Sequence, residues 1–194
     1  MDELSKFLAW LAVLLWPIIP LFWVPLHLFP SLRRRLGRRY YPVIIGLWSL
    51  GALVLALANF PTRWPPLSFP APVRFLGALA LLGGTLLQVL TAFWLREHIL
   101  GRGILDPRPE DQLVTEGPFR YLRHPTYVAH ALFFWGIFFF SGYPAVALVA
   151  LGDLIFTWGV IVPREERELE ERFGALWREY ARRTPRVLPR WRSL

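Results

Sequence analysis

The stretch Tyr127–Val162, "YVAHALFFWGIFFFSGYPAVALVALGDLIFTWGVIV", decides the fold. It holds two apolar runs, 127–140 and 145–162, joined by the turn "SGYP" alone. The second run is long enough to cross a bilayer and the first is short for a full span. So short a turn predicts a tight antiparallel helical hairpin. The residues before Tyr127 and after Val162 then meet at one membrane boundary. Those flanks carry Arg123 and His124 on one side and Arg164, Glu165 and Glu166 on the other.

Working outward, three more apolar segments precede the hairpin, at about 7–29, 42–60 and 73–95. The first contains Pro17, Pro20 and Pro25, which a span tolerates if neighbouring helices satisfy the freed carbonyls. Its acidic start, its length and its lack of a cleavage pattern read as a retained span rather than a signal peptide. The third contains "LGALALLGGT" (76–85), whose small residues permit close helix packing. The reading is an all-α integral membrane protein of about five transmembrane helices. A cytoplasmic tail follows over 163–194, with an amphipathic C-terminal helix, and residues 1–194 form a single domain.

Composition agrees. The 194 residues are 55% hydrophobic with no Cys, which is too apolar for a soluble domain of this size. The mean hydropathy is +0.38. The net charge of +8 comes from arginines that flank apolar runs, which points to lipid headgroups and away from nucleic acid. One Met, one Asn and one Lys against 21 Arg fit a thermophile or a GC-rich genome equally. With five spans, 19 of the 22 Lys and Arg residues fall on one side. That asymmetry sets the N-terminus outside and the C-terminus and polar cluster in the cytoplasm. In the tail, Leu169, Phe173, Leu176, Trp177 and Tyr180 share one helical face, until Pro185 ends the helix. Such a helix lies at the interface or packs over the loops.

The hairpin therefore makes His124 and Glu165 neighbours in a pocket at the membrane edge. Such a pocket admits a water-soluble cofactor from one side and a lipophilic substrate from the bilayer.

"DQLVTEGPFRYLRHPTYVAH" (111–130) followed by "VPREERELEERFGALWREYARRTPRVLP" (162–189) resembles the isoprenylcysteine carboxyl methyltransferase family and its phospholipid methyltransferase relatives. The shared pattern is L-V-x-x-G-x-[YF]-x-x-x-R-H-P-x-Y, a hydrophobic hairpin, then E-E, F-G and Y. It covers about 95–189. The resemblance implies a membrane methyltransferase using S-adenosyl-L-methionine. Carried over, it implies that Gln112, Leu113, Val114, Phe119, His124, Pro125, Thr126, Tyr127 and Glu165 bind the cofactor. The chemistry of the residues makes Arg123, His124 and Glu166 the catalytic candidates, with no metal. Glu165 suits an ammonium or a ribose hydroxyl, and Phe119 and Tyr127 suit adenine or a cation.

Three positions depart from the family. Members acting on isoprenylcysteine carry an arginine four residues before the first functional glutamate, where this chain has Ile161. Arg164 is the nearby candidate to hold a substrate carboxylate. Phe119 stands where tyrosine is common, and Ala129 where glycine is frequent.

Plainer readings stand beside these. Arg123 and His124 also suit headgroup contacts at a span boundary. Glu165 and Glu166 also suit a solvated helix end. His98 and His130 read as packing or interface residues. The leading expectation is carboxyl O-methylation of an isoprenylcysteine-like lipid, since a carboxylate is already ionised and needs no base. The alternative acceptor is an aminophospholipid, with His124 or Glu166 as base. A different class is an NADPH-dependent reductase resembling membrane sterol reductases. The expected partners are a lipophilic substrate and membrane lipids; the oligomeric state is not readable.

Overall fold

A backbone in hydrocarbon must satisfy its own hydrogen bonds, so apolar runs of this length become helices. The computed structural model describes residues 3–96 and 112–187, and every regular element among them is helical. His98 and the arginines Arg102, Arg108, Arg190 and Arg192 of the charge count lie outside the described residues. α1 (Glu3–Leu15) and α2 (Ile18–Leu28) form one apolar run broken at Trp16-Pro17. Pro17 has no N–H to give, and the Ile19 N–H donates to the Trp16 carbonyl one turn on.

α3 (Pro30–Leu36) is a short helix where the sequence indicated only a basic loop. α4 (Tyr40–Leu57) ends before Asn59, which is left-handed with φ 49. α5 (Ala71–Leu95) is the longest element at 25 residues. α6 (Pro125–Ser141) and α7 (Pro144–Phe156) are the expected hairpin. Gly142 turns it with φ 77, and a Cβ there would collide with the Leu67 carbonyl oxygen. The Leu67 N–H in turn donates to the Gly142 carbonyl at 2.9 Å. A π turn (Thr157–Ile161) joins α7 directly to α8 (Val162–Phe173), and α9 (Ala175–Arg183) follows.

Among the described residues, four helical runs are long and apolar enough to cross a membrane: Glu3–Leu28, Arg34–Leu57, Ala71–Leu95 and Pro144–Phe173. In the last of these the apolar part ends at Val162 and a charged extension follows. The fifth, α6, has 17 residues, roughly 25 Å at 1.5 Å per residue, and is short for a bilayer as its sequence implied. Leu50, Leu53, Leu57, Leu76, Leu86 and Phe93 line exposed faces of α4 and α5, the surface that acyl chains cover.

The most extensive packing is between α5 and α6, and it runs backbone to backbone. A Cβ on Gly136 would stand 2.5 Å from the Leu81 nitrogen; on Gly84, 2.7 Å from the Phe133 nitrogen; on Gly77, 2.6 Å from the Phe140 nitrogen. The small-residue run in the third span thus does what its composition implied. A second core joins α1, α6 and α7 through Ala9, Ala12, Val13, Phe134, Ile137, Val146 and Val149.

The tail departs from expectation in two ways. α8 continues the last span with no interruption, and the amphipathic tail is not one helix. Gly174 adopts φ 53 and ψ −118, a conformation glycine reaches far more readily than residues with a Cβ, and it divides α8 from α9. The break resets the helical phase. Trp177 and Tyr180 are buried, but Leu176, expected on the same face, is 66% exposed. α9 packs over the loop before α6: the Tyr180 hydroxyl donates to the Phe119 carbonyl at 2.7 Å.

Candidate active site

The loop entering α6 is set by its glycine and prolines. Gly117 takes φ 57, and a Cβ there would also run into the Trp94 indole. A 3-10 turn over 117–120 then buries Phe119. The Arg123 N–H donates to the Pro185 carbonyl at 2.9 Å, which fastens the loop to the chain beyond α9. His124 precedes α6 in a non-helical conformation, φ −127 and ψ 59. Pro125 supplies the helix's first turn, where its missing N–H costs nothing. His124 is thereby held at the helix mouth with only 4% of its surface exposed.

α8 supplies the opposite wall. His124 Nε2 lies 3.0 Å from Glu166 Oε1, and His124 Nδ1 lies 3.5 Å from Glu165 Oε2. The predicted convergence of the two flanks is therefore present. The His124 ring stacks on Tyr127 at 5.7 Å and meets the edge of Trp158, from the π turn, at 6.3 Å.

The two glutamates differ. Glu166 is saturated: Arg123 Nη1 is 2.8 Å from its Oε1, and the Arg186 guanidinium grips both its oxygens, with Nε at 3.0 and 3.1 Å. Burial pushes Glu166 up, but His124, Arg186 and the Arg123 charge outweigh it and hold it at about 2. A carboxylate that acidic is a poor base near neutral pH. In Glu165, burial is outweighed chiefly by His124, so it too is held below the usual carboxylate range. Its buried Oε2, however, has no hydrogen-bond partner. Burial drives His124 down, and the Glu165 and Glu166 carboxylates beside it more than reverse this, leaving it above its ordinary 6.5.

The remaining sequence candidates are more dispersed. Tyr127 and Pro125 are buried beside His124; Thr126, Leu113 and Val114 are half-buried. Gln112 and Arg164 are exposed. Ile161 is fully buried in the apolar core. A cleft of about 800 Å³ between α8 and α9 takes in Arg123, Glu166 and Trp177. Neither Tyr127 nor Glu165 lines it.

Two polar groups escaped the sequence reading. His27, buried in α2, places Nδ1 3.1 Å from Glu168 Oε2 and stacks on Trp23 at 5.9 Å. Glu168 lies three residues beyond Glu165, one turn along α8. The signal was a lone histidine inside an apolar span. Arg186 had no signal beyond its charge, because its approach to Glu166 depends on the chain turning back after α9. Among the described residues, no group of three or more His, Cys, Asp or Glu side chains is disposed to hold a metal ion.

The phospholipid methyltransferase family matches residues 73–175, more than half of the sequence. The chain belongs to the phospholipid methyltransferase family. That family points to methyl transfer at a membrane. The matched region spans α5 to α8 and so contains Arg123, His124, Glu165 and Glu166. His27 and Arg186 lie outside it.

Two curated relatives of this phospholipid methyltransferase family member carry names of another kind. The cobalt-zinc-cadmium resistance protein CzcN of Cupriavidus metallidurans is 31% identical over 148 residues, 75% of this chain and 63% of that protein. The nickel-cobalt-cadmium resistance protein NccN of Alcaligenes xylosoxydans xylosoxydans is 27% identical over 150 residues, 75% of this chain and 64% of that protein. The match thus spans somewhat less than two thirds of each relative's length. No solved structure matches the chain.

Proposed function

We propose that this protein transfers a methyl group from S-adenosyl-L-methionine to a lipophilic acceptor at the cytoplasmic face of a membrane, as a single domain. The observation that carries this is Glu165 Oε2: a buried carboxylate oxygen with no hydrogen-bond partner, beside His124 and two aromatic side chains. A buried acceptor without a hydrogen bond costs about 1–3 kcal/mol. An ammonium or ribose hydroxyl on the cofactor would repay it. Tyr127 and Phe119 would flank the cofactor, and His124 would keep Glu165 ionised and oriented.

S-adenosyl-L-methionine, when bound, supplies an electrophilic methyl carbon on a sulfonium. The chain's part is alignment and exclusion of water. Glu166 fixes Arg123, His124 and Arg186 in one arrangement, so the mouth of α6 stays rigid. α9 closes over the entering loop and shields it.

The acceptor can be a carboxylate, as in the isoprenylcysteine reading, or an amine. The burial of Ile161 among apolar side chains, at the position where members acting on isoprenylcysteine carry an arginine, favours the amine, and Arg164 is exposed. A role in metal resistance, as the relatives' names describe for them, would follow from modifying a membrane component.

The test is calorimetric titration of detergent-purified protein with S-adenosylhomocysteine, with NADPH as control. Saturable binding that Glu165→Gln loses supports the reading. A folded wild type that binds NADPH but not S-adenosylhomocysteine overturns it.

A further inference from the structure

The cleft of about 800 Å³ between α8 and α9 carries a surplus of positive charge that methyl transfer does not call on. Gly174 separates its two walls, and each wall is a stripe along one helix. On α8, Glu166, Arg167 and Glu170 follow Pro163 at three, four and seven residues. On α9, Arg178 and Arg182 follow Ala175 at three and seven. Such spacing sets each group on one helical face. Arg123 and the buried Trp177 also line the cleft, with the guanidinium carbon 5.9 Å from the indole ring.

Pairing within the cleft uses up both carboxylates and leaves two cations over. Glu166 is held by Arg123 and Arg186. Glu170 meets Arg178 at 3.4 Å, with both side chains about half-exposed, a pair worth little in water. Among the described residues, Arg167 on one wall and Arg182 on the other make no ion pair. Each wall therefore offers one uncommitted guanidinium to the same cleft. A guanidinium fork pairs best with a carboxylate or a phosphate. A carboxylate has one edge to give, whereas a phosphate presents oxygens in several directions and can meet a fork from each wall.

The depth of the cleft says where that phosphate comes from. Its lining starts at Pro163, directly after Val162, where the apolar run ends. Arg167 stands roughly 6 Å further along α8 at 1.5 Å per residue. The polar layer outside the hydrocarbon is about 5–7 Å deep on each side. Arg167 thus lies at the level of lipid phosphates, and the cytoplasmic leaflet is the anionic one. We propose that this cleft binds the phosphate of an anionic phospholipid headgroup, bridged between Arg167 and Arg182, at a site separate from cofactor and methyl acceptor. A lipid held there ties α9 to the end of the last span. α9 in turn holds the loop entering α6, through the Tyr180 hydroxyl on the Phe119 carbonyl.

The test is native mass spectrometry of the full chain released from a neutral detergent, with dioleoylphosphatidylglycerol against dioleoylphosphatidylcholine. Neither lipid has an amine that can take a methyl group, so retention does not report an amine acceptor. Arg167→Gln/Arg182→Gln and Arg182→Gln alone are measured beside Arg38→Gln/Arg39→Gln, a pair that removes the same charge from exposed arginines ahead of α4. Each variant is first checked for an unchanged unfolding profile without lipid. The expected result is that wild type prefers phosphatidylglycerol by about tenfold or more. The cleft variants lose that preference and the Arg38/Arg39 pair keeps it. Phosphatidylglycerol also raises the unfolding temperature of wild type, and saturating S-adenosylhomocysteine leaves lipid retention unchanged. Equal loss in both double variants shows a diffuse basic surface and overturns the proposal. Displacement of the lipid by S-adenosylhomocysteine makes the cleft part of the cofactor site and overturns it too. So does a wild type stabilised by millimolar inorganic phosphate and not by phosphatidylglycerol, which identifies a soluble phosphate instead.

Discussion

α6 takes part in two interfaces built on opposite principles. Against α5 it presents Gly136 and Ala129, and the two backbones touch with no space for a side chain. Against α8 it begins with His124, and charged groups fill the gap. The first interface is held by dispersion between close backbones. The second is left incomplete at Glu165, beside the fully clamped Glu166. On the proposed function, that buried carboxylate oxygen is the one a cofactor donor would satisfy.

The sharpest way to break the contrast is Gly136→Val. Its Cβ would stand 2.5 Å from the Leu81 nitrogen, an atom that cannot swing away. The expected cost is at least about 3 kcal/mol, the upper end for overpacking, read as loss of a monodisperse folded species on size exclusion in detergent. Next comes Glu165→Gln, which removes the charge and keeps the shape. The fold should survive, while S-adenosylhomocysteine binding weakens by about 10-fold or more, since hydrogen bonds to charged groups are worth about 1.5–3 kcal/mol. Unchanged affinity would mean that the open oxygen serves nothing.

A pH series sharpens the picture of the charged seam. His124 sits above its ordinary 6.5, so its stabilising charge is fully present below 6.5 and is lost as pH rises through its folded value. Glu166 is depressed from 4.5 to about 2, so its contribution is complete above 4.5 and is lost as pH falls towards 2. Thermal unfolding in detergent should therefore be most resistant between pH 4.5 and 6.5. The decline above 6.5 should disappear in His124→Gln. The smallest effect is expected from Arg186→Gln. Its side chain is 54% exposed, so solvent screens its pair with Glu166. Stability should drop by less than about 1 kcal/mol, and by less still at high salt.

Much of this was legible in the sequence, and the misses share a cause. The five apolar runs, the short turn at Gly142 and the glycines of α5 are local signals; the helix starts were read to within four residues, while the last run passes unbroken into α8. His124 and Glu165 could be paired from sequence because a hairpin fixes which ends meet. The tail was misread as one helix because Gly174 looks ordinary until its φ is known. His27 and Glu168 meet across a separation of 141 residues, and no periodicity reaches that far.

By itself, then, the sequence determined the class, the helices and which two flanks would converge. It could do so because hydrocarbon leaves helices as the favoured way to satisfy an apolar backbone, and a short turn leaves one way to fold back. Only the tertiary structure decided which carboxylate would be saturated and which left open. That choice depends on where Arg186 returns after α9 and on the extra residue of the π turn. Each is a displacement of one side chain's reach, too small to mark hydropathy and large enough to decide whether a hydrogen bond forms.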